Sequence, residues 1–185
     1  MLPRRLLPFL QENPSLALFA LLATASSGFG QTFLLGLFGD EIRSAFNLSH
    51  SAYGLIYSLA TLCSAALLLR FGSLLDHWSL RRVTLMAILV LSAGCMMLGL
   101  AGHLWMLALG FLLVRFGGQA MLSHIGMTTA GRYFSLNRGK VVAFSASGFP
   151  LSEAVLPLLV SVLVVAVGWR GSWIASAATS PSCSR

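Results

Sequence analysis

Gly72-Ser73-Leu74-Leu75-Asp76-His77-Trp78-Ser79-Leu80-Arg81-Arg82 is the stretch that decides how this chain folds. It sets an acid, a histidine and two arginines between two long apolar runs, residues 52–71 and 83–101. A bilayer core about 30 Å thick takes about 20 apolar residues of helix to cross, and both runs meet that length. Both must be helical, because lipid offers a backbone amide no partner and a helix satisfies its own. The quoted stretch therefore reads as a turn in water between two membrane-spanning helices. Gly72 lets the chain turn closely against a neighbouring helix. Asp76 can accept from arginines or from helix N-terminal amides. Arg81 and Arg82 are expected to pair with it or with lipid phosphates.

The pattern continues outward in both directions. Residues 15–38, 104–130 and 141–167 are three further runs of spanning length. The first is too long for the apolar core of a secretion signal and fits a spanning helix. The connections are polar around Asp40, Glu41, Arg43, Asn47 and His50 (read as a solvated loop), tight at Gly102-His103, basic around Arg132, Arg138 and Lys140, and tight at Gly168-Trp169-Arg170. Composition agrees, with 57% apolar and only 9% charged residues among 185. Soluble domains carry about 25% charge, so the solvent for most of this chain is lipid. The runs are Leu-, Ala- and Gly-containing and lack the alternation of a barrel strand.

The fold class is an all-α membrane protein. A sixth apolar segment, residues 170–178, gives way to Thr179-Ser180-Pro181-Ser182-Cys183-Ser184-Arg185. About ten helical residues cover only roughly 15 Å of a ~30 Å core. The expectation is a bundle over residues 1–178 with five full spans and a truncated sixth. Residues 179–185 then form a polar tail left by truncation or a frameshift.

Basic residues give the orientation. Arg4, Arg5, Arg70, Arg81, Arg82, Arg132, Arg138 and Lys140 fall on one side, and Arg43 and Arg170 on the other. The positive-inside rule puts the first group, and the N-terminus, in the cytoplasm of an inner-membrane protein. The net charge of +7 is thereby explained by loops facing anionic lipid, and nucleic acid is not expected as a partner. Cys63 and Cys95 sit in apolar runs and read as small core residues. With Cys183 they make an odd, widely spaced set that gives neither a disulfide framework nor a metal site. No metal, cofactor or enzyme motif is present: there is no metalloprotease helix, nucleophile elbow or phosphate loop.

Two charges fall inside the apolar runs, Arg115 in the fourth and Glu153 in the fifth. A mid-membrane charge costs at least ~2.5–3.5 kcal/mol and so faces a cavity or a partner. Counted from the helix ends, the two lie at similar depth. They either neutralise each other and brace the bundle, or Arg115 binds an anion or gates a proton with Glu153 as its switchable partner. Arginine suits a carboxylate because its planar fork offers paired donors. Gln31, Thr32, Gln119 and His124 are weaker candidates that also serve as ordinary helix–helix contacts. Ala143, Ser147, Gly148, Gly28, Gly30 and Gly36 read as close-packing positions, and Pro150 and Pro157 as bends in the fifth helix.

The quoted loop resembles the signature between the second and third helices of the major facilitator superfamily. Gly72, Asp76 and Arg81 hold matching positions, while His77, Ser79 and Leu80 depart from it. Arg115-Phe116-Gly117-Gly118-Gln119 is similar to the superfamily's fourth-helix element. Arg132 to Lys140, with Gly148, Pro150 and Pro157 after it, resembles the monocarboxylate and organic-anion branch. The resemblance implies the N-terminal six-helix half of a two-half transporter, whose C-terminal half is missing from this chain. It further implies a small-molecule substrate, with an organic anion read from Arg115, protons as coupling ions, no cofactor, and helices one and four lining the cavity. Arg115, Glu153, Gln31 and Gln119 are then the substrate or coupling residues, and Gly72, Asp76, Arg81, Arg82, Arg132 and Arg138 the cytoplasmic loop motif. Two other readings stay open: a truncated product that inserts without transporting, and a small oligomeric scaffold or channel-like assembly.

Overall fold

The computed structural model describes residues 13–135 and 138–179. Five helices among them are long and apolar enough to cross a membrane: Pro14–Leu37, His50–His77, Leu80–Gly99, Leu104–Arg132 and Arg138–Ala177. These are the five expected spans, here called first to fifth. Arg4, Arg5, Asn137 and the 180–185 tail lie outside the described residues. Because the spans alternate in direction, the turns near Asp76 and Arg132 share one end of the bundle. The turns near Phe38 and Ala101 share the other.

The fourth span sits at the centre. It packs against the first, second and third spans, and the first packs against the fifth. Lipid tails are as apolar as leucine, so close van der Waals packing and interhelical hydrogen bonds hold the spans together. Leu91, Leu98, Leu107, Phe111 and Val114 are fully buried between the third and fourth spans. Tyr53 and Tyr57 meet Phe111 edge-on across the second and fourth spans, with ring centroids 5.7 and 6.2 Å apart. Thr24 Oγ1 donates to the Ser145 carbonyl at 2.5 Å, and Ser145 Oγ donates to the Ala20 carbonyl at 3.0 Å, tying the first span to the fifth.

The first span is not one continuous helix. It is α-helical over Pro14–Ser26 and tightens to 3-10 over Ser27–Gly30. It runs extended at Gln31 and resumes over Thr32–Leu37. The fourth is α-helical over Leu104–Val114, widens to π turns over Arg115–Leu122 and returns to α over Ser123–Arg132. The two irregular stretches cross at Gly30 and Gly118. A Cβ on Gly30 would lie 2.4 Å from the Gln119 amide nitrogen and 2.5 Å from the Val114 carbonyl oxygen. Only glycine permits backbones to approach so closely.

Several details differ from the sequence reading. The loop at Asp40 and Glu41 is a helix, Gly39–Phe46, with Ile42 buried beneath it, Asp40 paired with Arg43, and Asn47 in the left-handed conformation at its end. Ile42 at i and Phe46 at i+4 give that segment an apolar face, which outweighs its charges. Cys95 is buried as expected, whereas Cys63 is exposed on the second span. Gly28, Gly30 and Gly148 are closely packed, but Gly36 has nothing near its Cβ position. The fifth span breaks at Ser147, between Arg138–Ala146 and the helix that starts at Gly148. Pro150 accounts for the break, since it has no N–H to offer the Ala146 carbonyl. The helix continues through Pro157. At Gly168 (φ 73°, ψ 171°) it breaks again, and residues 169–179 lie against the third span, where Ile174 and the Arg170 carbonyl face Gly99. Trp173 is fully buried there, its ring 4.8 Å from that of Phe38.

Candidate functional site

Arg115 is the first residue of the π stretch and is only 4% exposed. Its Nη1 donates to the Gly30 carbonyl at 3.1 Å and to Thr32 Oγ1 at 3.3 Å. Thr32 shares a hydrogen bond with the Tyr57 hydroxyl at 2.8 Å, and the guanidinium carbon lies 5.0 Å from the Tyr57 ring centroid. The break in the first span thus presents a main-chain carbonyl and a hydroxyl to the cation, and the second span adds an aromatic face. Each is favourable to positive charge, and none neutralises it. Among the described residues no carboxylate pairs with Arg115, and its buried Nε has no partner.

A cavity of about 550 Å³ opens beside this arginine. The fourth span contributes Arg115, Gln119, Ser123 and His124 to its wall, and the second span contributes Thr61, Ser64, Ala65 and Leu68. Gln31 enters from the break in the first span, and Phe149 from the fifth. Three of the four sequence candidates, Arg115, Gln31 and Gln119, therefore meet at one surface. Glu153 does not join them. It lies one helical turn beyond Phe149, is exposed, and makes no ion pair among the described residues. The brace between Arg115 and Glu153 is thus not formed: Glu153 faces outward, and Arg115 Nη1 turns to the Gly30 carbonyl and Thr32.

Sequence reasoning missed Tyr57, Thr61 and Ser64. The signal was there: 57, 61, 64 and 68 fall at helical spacing and so share one face of the second span.

The family model described as Major Facilitator Superfamily matches residues 20–183. The chain belongs to that superfamily. Neither a curated protein nor a solved structure matches it. As a major facilitator protein it is a multi-pass membrane protein of a family whose members are transporters rather than enzymes.

The loop between the second and third spans of this major facilitator protein is held by the fourth span. Arg132 Nη1 donates to Asp76 Oδ1 at 3.3 Å and to the Leu75 carbonyl at 3.0 Å. Arg81 and Arg82 are exposed and make no ion pair with Asp76, so of the two expected partners the Asp76 carboxylate is not theirs. They begin the third span, Leu80–Gly99, and leave the loop along it, whereas the end of the fourth span comes down beside Asp76. His124 adds a second tie. Its Nε2 lies 3.3 Å from the Gly72 carbonyl, and a carbonyl only accepts, so Nε2 carries the proton. Gly72 lies close under that ring, as a Cβ there would be 3.6 Å from Nε2. Arg138 is exposed at the start of the fifth span, with its guanidinium beside Gly131.

Proposed function

We propose that this chain carries a small organic anion, a monocarboxylate, across the inner membrane by proton-coupled alternating access, acting with a second six-helix half. The N-terminus and the Asp76 end would face the cytoplasm, as the basic residues there favour. The observation that carries the reading is Arg115: a cation 4% exposed, without an acidic partner among the described residues, on the wall of a 550 Å³ cavity. A charge kept at mid-membrane without neutralisation serves a ligand better than it serves packing. Nη1 is committed to Gly30 and Thr32. Nη2, which makes no hydrogen bond among the described residues, is the donor left for a carboxylate. Gln31 and Gln119 flank it and orient the ligand, and Glu153, exposed one turn beyond Phe149, carries the coupled proton.

The test is uptake of a labelled monocarboxylate into proteoliposomes under an inward proton gradient. Uptake should fall ~30- to 150-fold for Arg115→Gln, corresponding to about 2–3 kcal/mol of charge-assisted hydrogen bonding. Glu153→Gln should remove the dependence on the gradient. Uptake indifferent to Arg115→Gln and Arg115→Lys would overturn the assignment of the anion site.

A second reading, an oligomeric scaffold or channel-like assembly, is favoured by one observation. Only 11% of the apolar window is buried in the second and fifth spans, against 44–50% in the others. Crosslinking in membranes separates the two: discrete oligomers with no carboxylate uptake would favour the scaffold.

A further inference from the structure

The cavity wall points to a narrower ligand class than an organic anion, and this inference rests on the reading of Arg115 above. Arg115 is the single charged side chain on the wall, so the site matches one negative charge. The polar groups around it, set among apolar Ala65, Leu68, Ala120, Met127 and Phe149, are committed in a particular way. Thr61 Oγ1 donates its proton to the Tyr57 carbonyl at 2.9 Å. Ser123 Oγ donates its proton to the Gln119 carbonyl. With their protons spent on the helix backbone, both hydroxyls offer only lone pairs to a ligand. The side-chain amides of Gln31 and Gln119 make no hydrogen bond among the described residues and so supply both acceptors and donors. Ser64 adds a further hydroxyl on the facing span.

An aliphatic carboxylate entering such a site would strip water from these acceptors and give nothing back. A ligand with several hydroxyl donors would match them. A site built to hydrogen-bond a hydroxyl discriminates strongly against the analogue that lacks it, because its own polar groups are left unpaired. From Arg115 to Ser123 the fourth span runs through about two of its wide π turns, enough for a chain of about six carbons laid along it. We infer that the site takes a hydroxylated monocarboxylate of sugar-acid type, with its carboxylate on Arg115 and its hydroxyls on Thr61, Gln119, Ser123 and Gln31.

Calorimetric binding to the purified full chain, with gluconate, hexanoate and glucose as probes, tests this. Gluconate and hexanoate share a six-carbon chain and a carboxylate and differ in hydroxyls, while glucose lacks the charge. Gluconate should bind at least ~10-fold tighter than hexanoate, and glucose should not compete. Arg115→Gln should abolish gluconate binding. The near-isosteric pair Thr61→Val with Ser123→Ala should erase most of the gluconate advantage, weakening gluconate and tightening hexanoate. Hexanoate binding as tightly as gluconate, with both lost in Arg115→Gln, would overturn the hydroxylated class and leave the anion site standing. Absence of carboxylate binding, or binding that survives Arg115→Gln, would overturn both.

Discussion

Replacing Gly30 by alanine strikes the contact on which the site is built. The added methyl would sit 2.4 Å from the Gln119 amide nitrogen and 2.5 Å from the Val114 carbonyl oxygen, both main-chain atoms of the fourth span. Main chain cannot rotate aside as a long side chain can, so the first and fourth spans must separate by about an ångström to restore van der Waals contact. Overpacking of this kind costs about 1–3 kcal/mol. Separation also lengthens the 3.1 Å bond from Arg115 to the Gly30 carbonyl, and a hydrogen bond to a charged group is worth about 1.5–3 kcal/mol. Partial loss of that bond brings the total to about 3–4 kcal/mol. For a chain of this size each kcal/mol moves the melting temperature by about 2–4 °C, so a fall of roughly 6–16 °C is expected. The assay is thermal unfolding of the purified chain in detergent. Gly36→Ala is the control, because nothing lies within 4 Å of its Cβ position. Alanine there should be neutral or slightly stabilising through helix propensity. If Gly30→Ala melts with Gly36→Ala, the tight crossing is wrong.

Three further outcomes follow from other contacts. Gly168→Ala forces a side chain into a conformation (φ 73°, ψ 171°) reached almost only by glycine. It should cost about 1–3 kcal/mol by the same thermal assay, although the position is sterically open. Arg132 and Asp76 are 49% and 63% exposed as side chains. Solvent screening then limits their coupling in a double-mutant cycle to about 1 kcal/mol or less, and salt should reduce it. Trp173→Ala should cost about 3–5 kcal/mol and loosen residues 169–179 from the third span, seen as faster hydrogen exchange there, since the ring is fully buried against Phe38.

The spans were legible because lipid imposes one rule, a long apolar helix, and residues 52–71 and 83–101 obey it around an unmistakable polar turn. What composition could not convey was where a helix departs from ideal form. Ser27-Gly28-Phe29-Gly30 and Gly117-Gly118 reveal small residues, but small residues serve packing in intact helices as well. The break at Gln31 and the π turns at Arg115 follow from how the first and fourth spans cross. That crossing also decides the fate of Arg115. Depth along the helix made Glu153 a natural partner, yet depth says nothing of azimuth, and the nearest polar atom proves to be a carbonyl released by the broken span. Asp76 illustrates the same limit. Several arginines fall at its end of the chain, and only the packing of the fourth span selects Arg132. Tyr57, Thr61 and Ser64 lay within reach of the sequence, through a helical stripe whose polar members are individually unremarkable.

The account rests on a water-filled cavity in which Arg115 receives an anion, and site-directed thiol labelling tests that most directly. With the native cysteines replaced by serine or alanine, Ala65→Cys places a thiol on the exposed part of the cavity wall, clear of the hydrogen-bonding groups. The account predicts modification by a water-soluble maleimide, slowed by added carboxylate when Arg115 is present and not slowed in Arg115→Gln. A thiol that stays unmodified, or carboxylate protection that persists without Arg115, would contradict it.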